Sequence, residues 1–486
     1  MKKLVICRLL MLLEVLAALS MGAPLSMAIF YGEAAMAKSF GLTMAAVLLL
    51  TMPVLIATRK QPIRFAASDG FLLVFLAWVG TCLLGAIPYY ISGHIPGLAD
   101  AVYESVSGFT TTGASIIQDL ESMPRSLIFW RAQTHWLGGM GMVVLTVALL
   151  PLLGVGGFQL LKAETTGPDK DRITPKITET AKILWLIYII LTAAETLLLM
   201  LAGMDLFDAV VHAFSTMATG GFSSRNNSIA YYNSPLIEWI IIIFMIIAGC
   251  NFSMLYRLLQ RKFREVYYNS EIRGYVLIIF AAAAVIAFSL ISNSRLEEEN
   301  LSPGTGIRRA FFYTASILTT TGFSAAAHNL WPPLAQGILV ILMFIGGCSG
   351  STAGGVKVIR YVVLFKQSKN ELKKIIYPRG VFSVRLNNKV GRKDVVYGVA
   401  GFIFLYLSMI ALGSLVAAGA GVDFFSSLNL SLLSLGNIGL GLGSLESPAV
   451  FQALPAYVKW FFSFLMIAGR LELWAAFVFL STDYWR

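Results

Sequence analysis

The chain has 486 residues, 57% of them hydrophobic and only 13% charged, with a formal net charge of +11 and a mean hydropathy of +0.74. Average soluble domains carry about a quarter charged residues, so a soluble globule is excluded and a polytopic membrane protein remains. The positive balance needs no nucleic-acid partner, because membrane topology accounts for it.

In chain order, apolar runs able to cross about 30 Å of hydrocarbon lie at 8–30, 40–58, 70–93, 127–153, 181–203, 235–257, 274–293, 334–364, 395–418 and 453–480. Ten spans put both termini on one face. Met1-Lys2-Lys3 and the run after it imitate a secretory signal peptide, but the run continues to Phe30 and a second span follows at once. The reading is therefore an uncleaved first span. The expected organisation is a two-span region at 1–65, then four units at 66–160, 161–265, 266–365 and 394–486, with a basic linker at 366–393.

Each unit reads as span, half-helix, glycine segment, span. The half-helices Leu98–Phe109, Leu206–Met217, Ile307–Leu318 and Phe424–Leu433 have about three turns each, too few to cross a bilayer. The segments after them are Thr110-Thr111-Thr112-Gly113-Ala114, Ala218-Thr219-Gly220-Gly221-Phe222, Thr319-Thr320-Thr321-Gly322-Phe323 and Leu433-Ser434-Leu435-Gly436-Asn437. Aligned on Gly113, Gly221, Gly322 and Gly436, at separations of 108, 101 and 114 residues, each carries a hydroxyl two positions earlier. A potassium filter has this grammar: a threonine, one residue, then a glycine that lets carbonyls turn inward and replace the hydration shell of a cation. The carbonyls expected to hold the ion are those of Thr111, Thr112, Thr219, Gly220, Thr320, Thr321, Leu435 and Gly436. Four half-helices would aim their negative dipole ends at it. A single Thr-x-Gly reads as close helix packing. Four in register, each 24 to 33 residues before Gly138-Gly139, Gly249, Gly346-Gly347 or Gly469, favour a filter.

Two features of the later spans suggest a gate. The stretch from Gly346 to Gly355, holding Gly346, Gly347, Ser349, Gly350, Gly354 and Gly355, cannot stay helical at low cost, so broken backbone should line the cavity there. It lacks the Gly-Lys-Ser/Thr ending of a phosphate loop, and no strand precedes it. Arg470 is a cation deep in the last span, where it would raise an electrostatic barrier to cations. Its structural alternative is an ion pair with Glu472 or another carboxylate.

Twenty-eight of the 37 Lys and Arg fall on the terminal face, among them Lys2, Lys3, Arg8, Arg59, Lys60, Arg64 and the groups Lys162 to Lys182, Arg257 to Arg273 and Lys357 to Lys393. That excess marks the face as cytoplasmic. The opposite loops hold Asp100, Glu104, Asp119, Asp205, Asp208, Glu297, Glu298, Glu299, Asp423 and Glu446, either attracting cations to the pore mouth or serving as ordinary solvated charge. The basic stretch Lys366 to Lys393 is open to three readings: docking a cytoplasmic partner, binding anionic lipid at about 1 kcal/mol per residue, or setting topology. Cys7, Cys82, Cys250 and Cys348 read as small hydrophobes. His94, His135, His212 and His328 are dispersed near the outer half, where metal binding is not expected and a proton-coupling role stays open.

At these residues the chain resembles the Trk/Ktr/HKT superfamily of potassium transporters, and within it the bacterial Trk-type uptake proteins, over nearly its whole length. The resemblance is carried by the four glycine segments, Trp136-Leu137-Gly138-Gly139-Met140-Gly141, Leu150-Pro151-Leu152-Leu153-Gly154-Val155-Gly156-Gly157, Gly355-Val356-Lys357-Val358-Ile359-Arg360 and Gly469-Arg470-Leu471-Glu472. It implies an all-α protein with four span/pore-loop/span repeats in fourfold pseudosymmetry around one pore. It also implies potassium as the transported ion, no organic cofactor in this chain, and residence in the bacterial plasma (inner) membrane. The partners it implies are a second copy in a homodimer and a cytoplasmic ring of nucleotide-binding subunits sensing NAD, ATP or ADP. An intramembrane gating loop maps onto Gly346 to Gly355, with Arg470 as the nearby constriction. Leu440 stands where many relatives have proline. In plant relatives a serine at the first filter glycine accompanies sodium preference, and here that residue is Gly113.

Two readings from other classes compete. A secondary transporter of another solute would show inverted repeats with paired broken helices, whereas these units run in one sense. An intramembrane enzyme would need a nucleophile, carboxylate pair or histidine cluster within the spans, and Glu14, Glu195 and Glu472 are isolated in sequence. A sodium-permeable member of the same superfamily is the nearer alternative.

Overall fold

The computed structural model of the chain describes residues 2–58, 67–141, 177–292, 302–387, 389–390 and 393–478. The Leu150 to Gly157 motif, the second half of the 127–153 span, Arg59, Lys60, Arg64, Lys162, Lys170, Arg172, Lys176, Glu297 to Glu299, Arg392 and Arg486 lie outside the described residues.

Apolar composition and few breakers make nearly all the regular structure helical. Among the described residues the one strand ladder pairs Arg385–Leu386 with Lys389–Val390. Six helices among the described residues are long and apolar enough to cross a membrane: Ile6–Phe30, Ala34–Thr58, Gly70–Ile91, Glu179–Leu201, Ser270–Ser292 and Val395–Gly419. Their outward faces carry exposed Leu49, Leu277, Phe280, Phe288 and Leu415, apolar area that hydrocarbon covers and water would penalise. The chain is a multi-pass membrane protein.

Four short helices lie among them: Leu98–Phe109, Leu206–Met217, Pro303–Leu318 and Phe424–Gly436. The first two have the expected limits. The third starts earlier, where the Ser302 hydroxyl accepts from the Thr305 amide and Pro303 takes the first helical position. The fourth starts under an Asp423 cap and runs three residues past Leu433. Ala101 to Phe109 are all buried, so the first short helix is surrounded by protein rather than lipid.

Each short helix packs on the long helix before it and on the helix after it. Each also packs on the corresponding helix of the preceding unit: Leu206–Met217 on Arg125–Gly139, Pro303–Leu318 on Pro235–Ala248, Phe424–Gly436 on Pro333–Met343, and Leu98–Phe109 on Ala456–Arg470. The succession closes on itself.

The helices after the short helices differ from expectation, because the interruption foreseen only for the third occurs in others. Pro235–Ala248 and Phe252–Leu259 meet at a 102° bend, where the Asn251 side chain caps the second piece by accepting from Ser253 and Met254. Ala456–Arg470 ends in a turn with Glu472 and Leu473 at positive φ. Close approach to the short helices accounts for glycines near the ends of the helices that follow them. A Cβ on Gly138 would lie 1.8 Å from the Phe109 carbonyl oxygen, and one on Gly469 would lie 2.1 Å from that of Leu435.

Candidate functional site

The chain leaves each short helix through a left-handed residue. Thr111, Thr219 and Thr320 have φ of 56°, 55° and 60°, and Gly113, Gly221 and Gly322 follow at 83°, 81° and 83°. A β-branched residue in this region is a genuine outlier, costing on the order of 1–3 kcal/mol. Three in equivalent places mark one built site.

The four segments meet. A Cβ on Gly113 would come within 2.0 Å of the Gly220 oxygen, one on Gly221 within 2.0 Å of the Thr321 oxygen, and one on Gly322 within 2.6 Å of the Gly439 Cα. One on Gly439 would lie 3.0 Å from the Thr112 oxygen and 3.1 Å from the Gly113 Cα. Only glycine permits backbone to approach backbone this closely.

The fourth segment enters the ring in a different register from the one read in sequence. Its left-handed residue is Asn437, with φ of 53°, and its ring glycine is Gly439. The same five-residue back-bond identifies the equivalence: Thr112 N to Ser107 O, Gly220 N to Ser215 O, and Ile438 N to Leu433 O, at 2.9, 2.8 and 2.9 Å. Ser434, Leu435 and Gly436 therefore form the last turn of the short helix, three residues before the ring. Asparagine tolerates the left-handed region better than most residues, which is why the exit falls at Asn437. Its Nδ2 donates to Thr112 Oγ1 at 3.0 Å and to the Met466 carbonyl at 2.9 Å, joining the fourth segment to the first.

Against the ring lies the stretch from Gly346 to Gly355, which is not helical. Gly354 N donates to Thr320 Oγ1 at 2.7 Å, and Thr352 Oγ1 to the carbonyls of Met217 and Ala248 at 3.0 and 3.2 Å. Cys348 N donates to Gly249 O at 2.9 Å, Phe252 N to Gly350 O at 3.1 Å, and Ser349 N to Glu271 Oε1 at 2.6 Å. Gly346 N reaches Val356 O and Val358 N reaches Gly347 O, closing the loop at its base. Arg470 donates to the carbonyls of Thr352, Gly138 and Gly139 at 2.7, 2.6 and 3.0 Å. It thereby ties the loop to the helix of the first unit, while Glu472 pairs with Arg360.

Two acids read as pore-mouth charge are instead internal. Glu104 is fully buried and paired with buried Arg131 at 2.7 Å. Asp208 is buried and paired with Arg225 at 2.8 Å. Asp119 is exposed, and the Asn226 side-chain bond holds its carboxyl below the usual carboxylate range. Arg131 also stacks 3.9 Å from the Phe222 ring centroid, bridging the exits of the first two segments. A charged residue inside an amphipathic half-helix calls for a partner, but the sequence does not say which residue that is. Among the described residues no group of three His, Cys, Asp or Glu is placed to hold a metal ion. His135 stacks on Phe222 and bonds the Gly108 carbonyl.

The profile of the TrkH family, described as a cation transport protein, matches residues 37–485. The chain is similar to the Trk system potassium uptake protein TrkH of Escherichia coli K12, at 39% identity over 88% of each chain. A likeness at 38% identity covers 99% of each chain for the protein of that name from Halomonas elongata. The crystal structure of the potassium transporter TrkH from Vibrio parahaemolyticus superimposes with a TM-score of 0.89 at 33% identity, covering all of both chains.

Proposed function

The chain belongs to the TrkH family of cation transport proteins, and from that premise we propose that it takes up potassium through one pore walled by four segments of a single chain in fourfold pseudosymmetry. The observation that carries this reading is the closed succession Gly113, Gly221, Gly322, Gly439, each backbone against the next. Carbonyls of Thr111, Thr112, Thr219, Gly220, Thr320, Thr321, Asn437 and Ile438 would replace the water of a dehydrated cation. The names of its relatives supply potassium as that cation.

Gly346 to Gly355 and Arg470 form the gate. Hydrogen-bonded across all four units, they limit flux until the surrounding helices separate. An inside-negative potential then drives uptake with about 2.3 kcal/mol per charge per 100 mV. The protein would sit in the inner membrane with both termini cytoplasmic, as a homodimer on a regulatory nucleotide-binding ring. Exposed Ile375, Ile376 and Val381 beside Lys373, Lys374 and Arg379 suit docking of that ring. The test is rubidium or potassium uptake into liposomes with sodium as competitor; flux without preference between the ions would leave the sodium-permeable alternative.

A further inference from the structure

Three short helices carry a polar side chain at the same place, nine residues before the ring glycine: Glu104, His212 and Tyr313. Each is fully buried. Each reaches a serine two residues past that glycine. The Ser115 hydroxyl donates to Glu104 Oε1 at 3.0 Å, Ser223 Oγ lies 3.0 Å from His212 Nε2, and Ser324 Oγ lies 2.9 Å from the Tyr313 hydroxyl. A carboxylate, an imidazole and a phenol thus make one structural bond at three sites.

The bond fixes the backbone leaving the ring. Ile116 N donates to Glu104 Oε2 at 3.0 Å, and Ile117 N and Arg225 N donate to the oxygens of Ser115 and Ser223 at 3.1 and 3.0 Å. Ala326 N donates to the Tyr313 hydroxyl at 3.0 Å. The fourth wall has Leu430 and Gly441 at these positions, which cannot form the bond with side chains. There His328 Nε2, from the third unit, approaches the Gly441 carbonyl at 3.2 Å.

We propose that Glu104, His212 and Tyr313 are specificity-positioning residues that hold three walls of the ring at fixed radius through Ser115, Ser223 and Ser324, while His328 holds the fourth. Where a carbonyl ring selects by fit, its walls must resist relaxing onto a smaller ion, and a buried hydrogen bond between helix and exit segment supplies that resistance. The inference rests on the potassium reading.

The third wall gives the cleanest test, since its brace is neutral. In liposomes carrying the full chain, Tyr313→Phe and Ser324→Ala should each lower the potassium-to-sodium permeability ratio about fivefold, the ratio corresponding to one net hydrogen bond. The double variant should fall no further, and Ser324→Thr, which keeps the hydroxyl, should retain the parent ratio. Should Tyr313→Phe fail to fold, Ser223→Ala makes the same test at the second wall. A selective parent whose variants stay equally selective overturns the brace alone. An unselective parent removes the potassium reading and the brace with it.

Discussion

The Gly354 amide donates to Thr320 Oγ1 at 2.7 Å, so the segment that interrupts the third unit is fastened to the ring it lies against. Thr320 is one of the three threonines held in the left-handed region. Its hydroxyl accepts from the loop while its backbone forms part of the ring, so movement of the loop would remove a bond from the ring itself.

The register of the fourth wall can be tested with two glycines. A Cβ on Gly436 meets side chains alone among its nearest neighbours, Ile438 at 3.1 Å and the Tyr406 hydroxyl at 3.4 Å, which can turn aside. A Cβ on Gly439 meets backbone of the first wall. Gly439→Ala should therefore lower the potassium-to-sodium ratio about tenfold or abolish flux, on the scale of a 1.4 kcal/mol distortion, whereas Gly436→Ala should keep the parent ratio. Ion competition during rubidium uptake measures both; the reverse order would restore the register read from sequence.

Gly113→Ser places a side chain on a position whose Cβ would already lie 2.0 Å from the Gly220 oxygen. It should weaken discrimination against sodium. Reversal potentials in mixed potassium and sodium gradients measure the change, and unchanged potentials would remove Gly113 from the filter.

Arg470→Ala deletes donors to three carbonyls that join the loop to the first unit. With one charge-assisted bond contributing about 1.5 kcal/mol, basal flux should rise at least about tenfold. Deleting Gly350 to Gly354 should act in the same direction. Uptake without any partner protein is the readout, and a flux no higher than the parent's would rule out the gate assignment.

Arg131→Met leaves the Glu104 carboxylate buried without its cation. Breaking a buried pair from one side costs about 3–5 kcal/mol, so the variant should lose most of its thermal stability in detergent. Arg131→Met with Glu104→Leu should recover part of it, as measured by the temperature at which the monodisperse peak disappears.

Burial pushes the His328 imidazole below its ordinary value of 6.5, against the pull of Glu446. The 3.6 Å approach of Nδ1 to Glu446 Oε1 would be an ion pair only with protonated histidine, and burial keeps the ring neutral. A depressed folded value means that the unfolded chain takes the proton first, so this contribution is complete above the unfolded pKa and is lost as pH falls through it. Thermal stability should drop between about pH 7 and about pH 5, and His328→Gln should flatten that drop.

Much of the site was legible because its chemistry is local. Three walls follow from a short amphipathic run ending in Thr-x-Gly, and Leu98–Phe109 and Leu206–Met217 have the limits that composition suggests. The fourth wall misled because Ser434-Leu435-Gly436 satisfies the same hydroxyl-x-glycine rule, while Asn437 supplies the left-handed exit and Gly439 the close approach without a hydroxyl. The breaks at Gly249 and after Arg470 were not legible, since a single Asn251 or Glu472 within an otherwise apolar run does not by itself end a helix, and the bends depend on tertiary packing as well as on the Asn251 cap. The pairings of Glu104 with Arg131 and of Asp208 with Arg225 join residues 27 and 17 positions apart, a proximity that no local pattern encodes.

The most direct test of the central claim is rubidium uptake, under an inside-negative potential, into liposomes carrying the purified chain with Gly350 to Gly354 deleted to hold any gate open. Saturable flux is expected, competed away more strongly by potassium than by sodium. No cation flux from this variant, with the protein folded in the membrane, would contradict that claim.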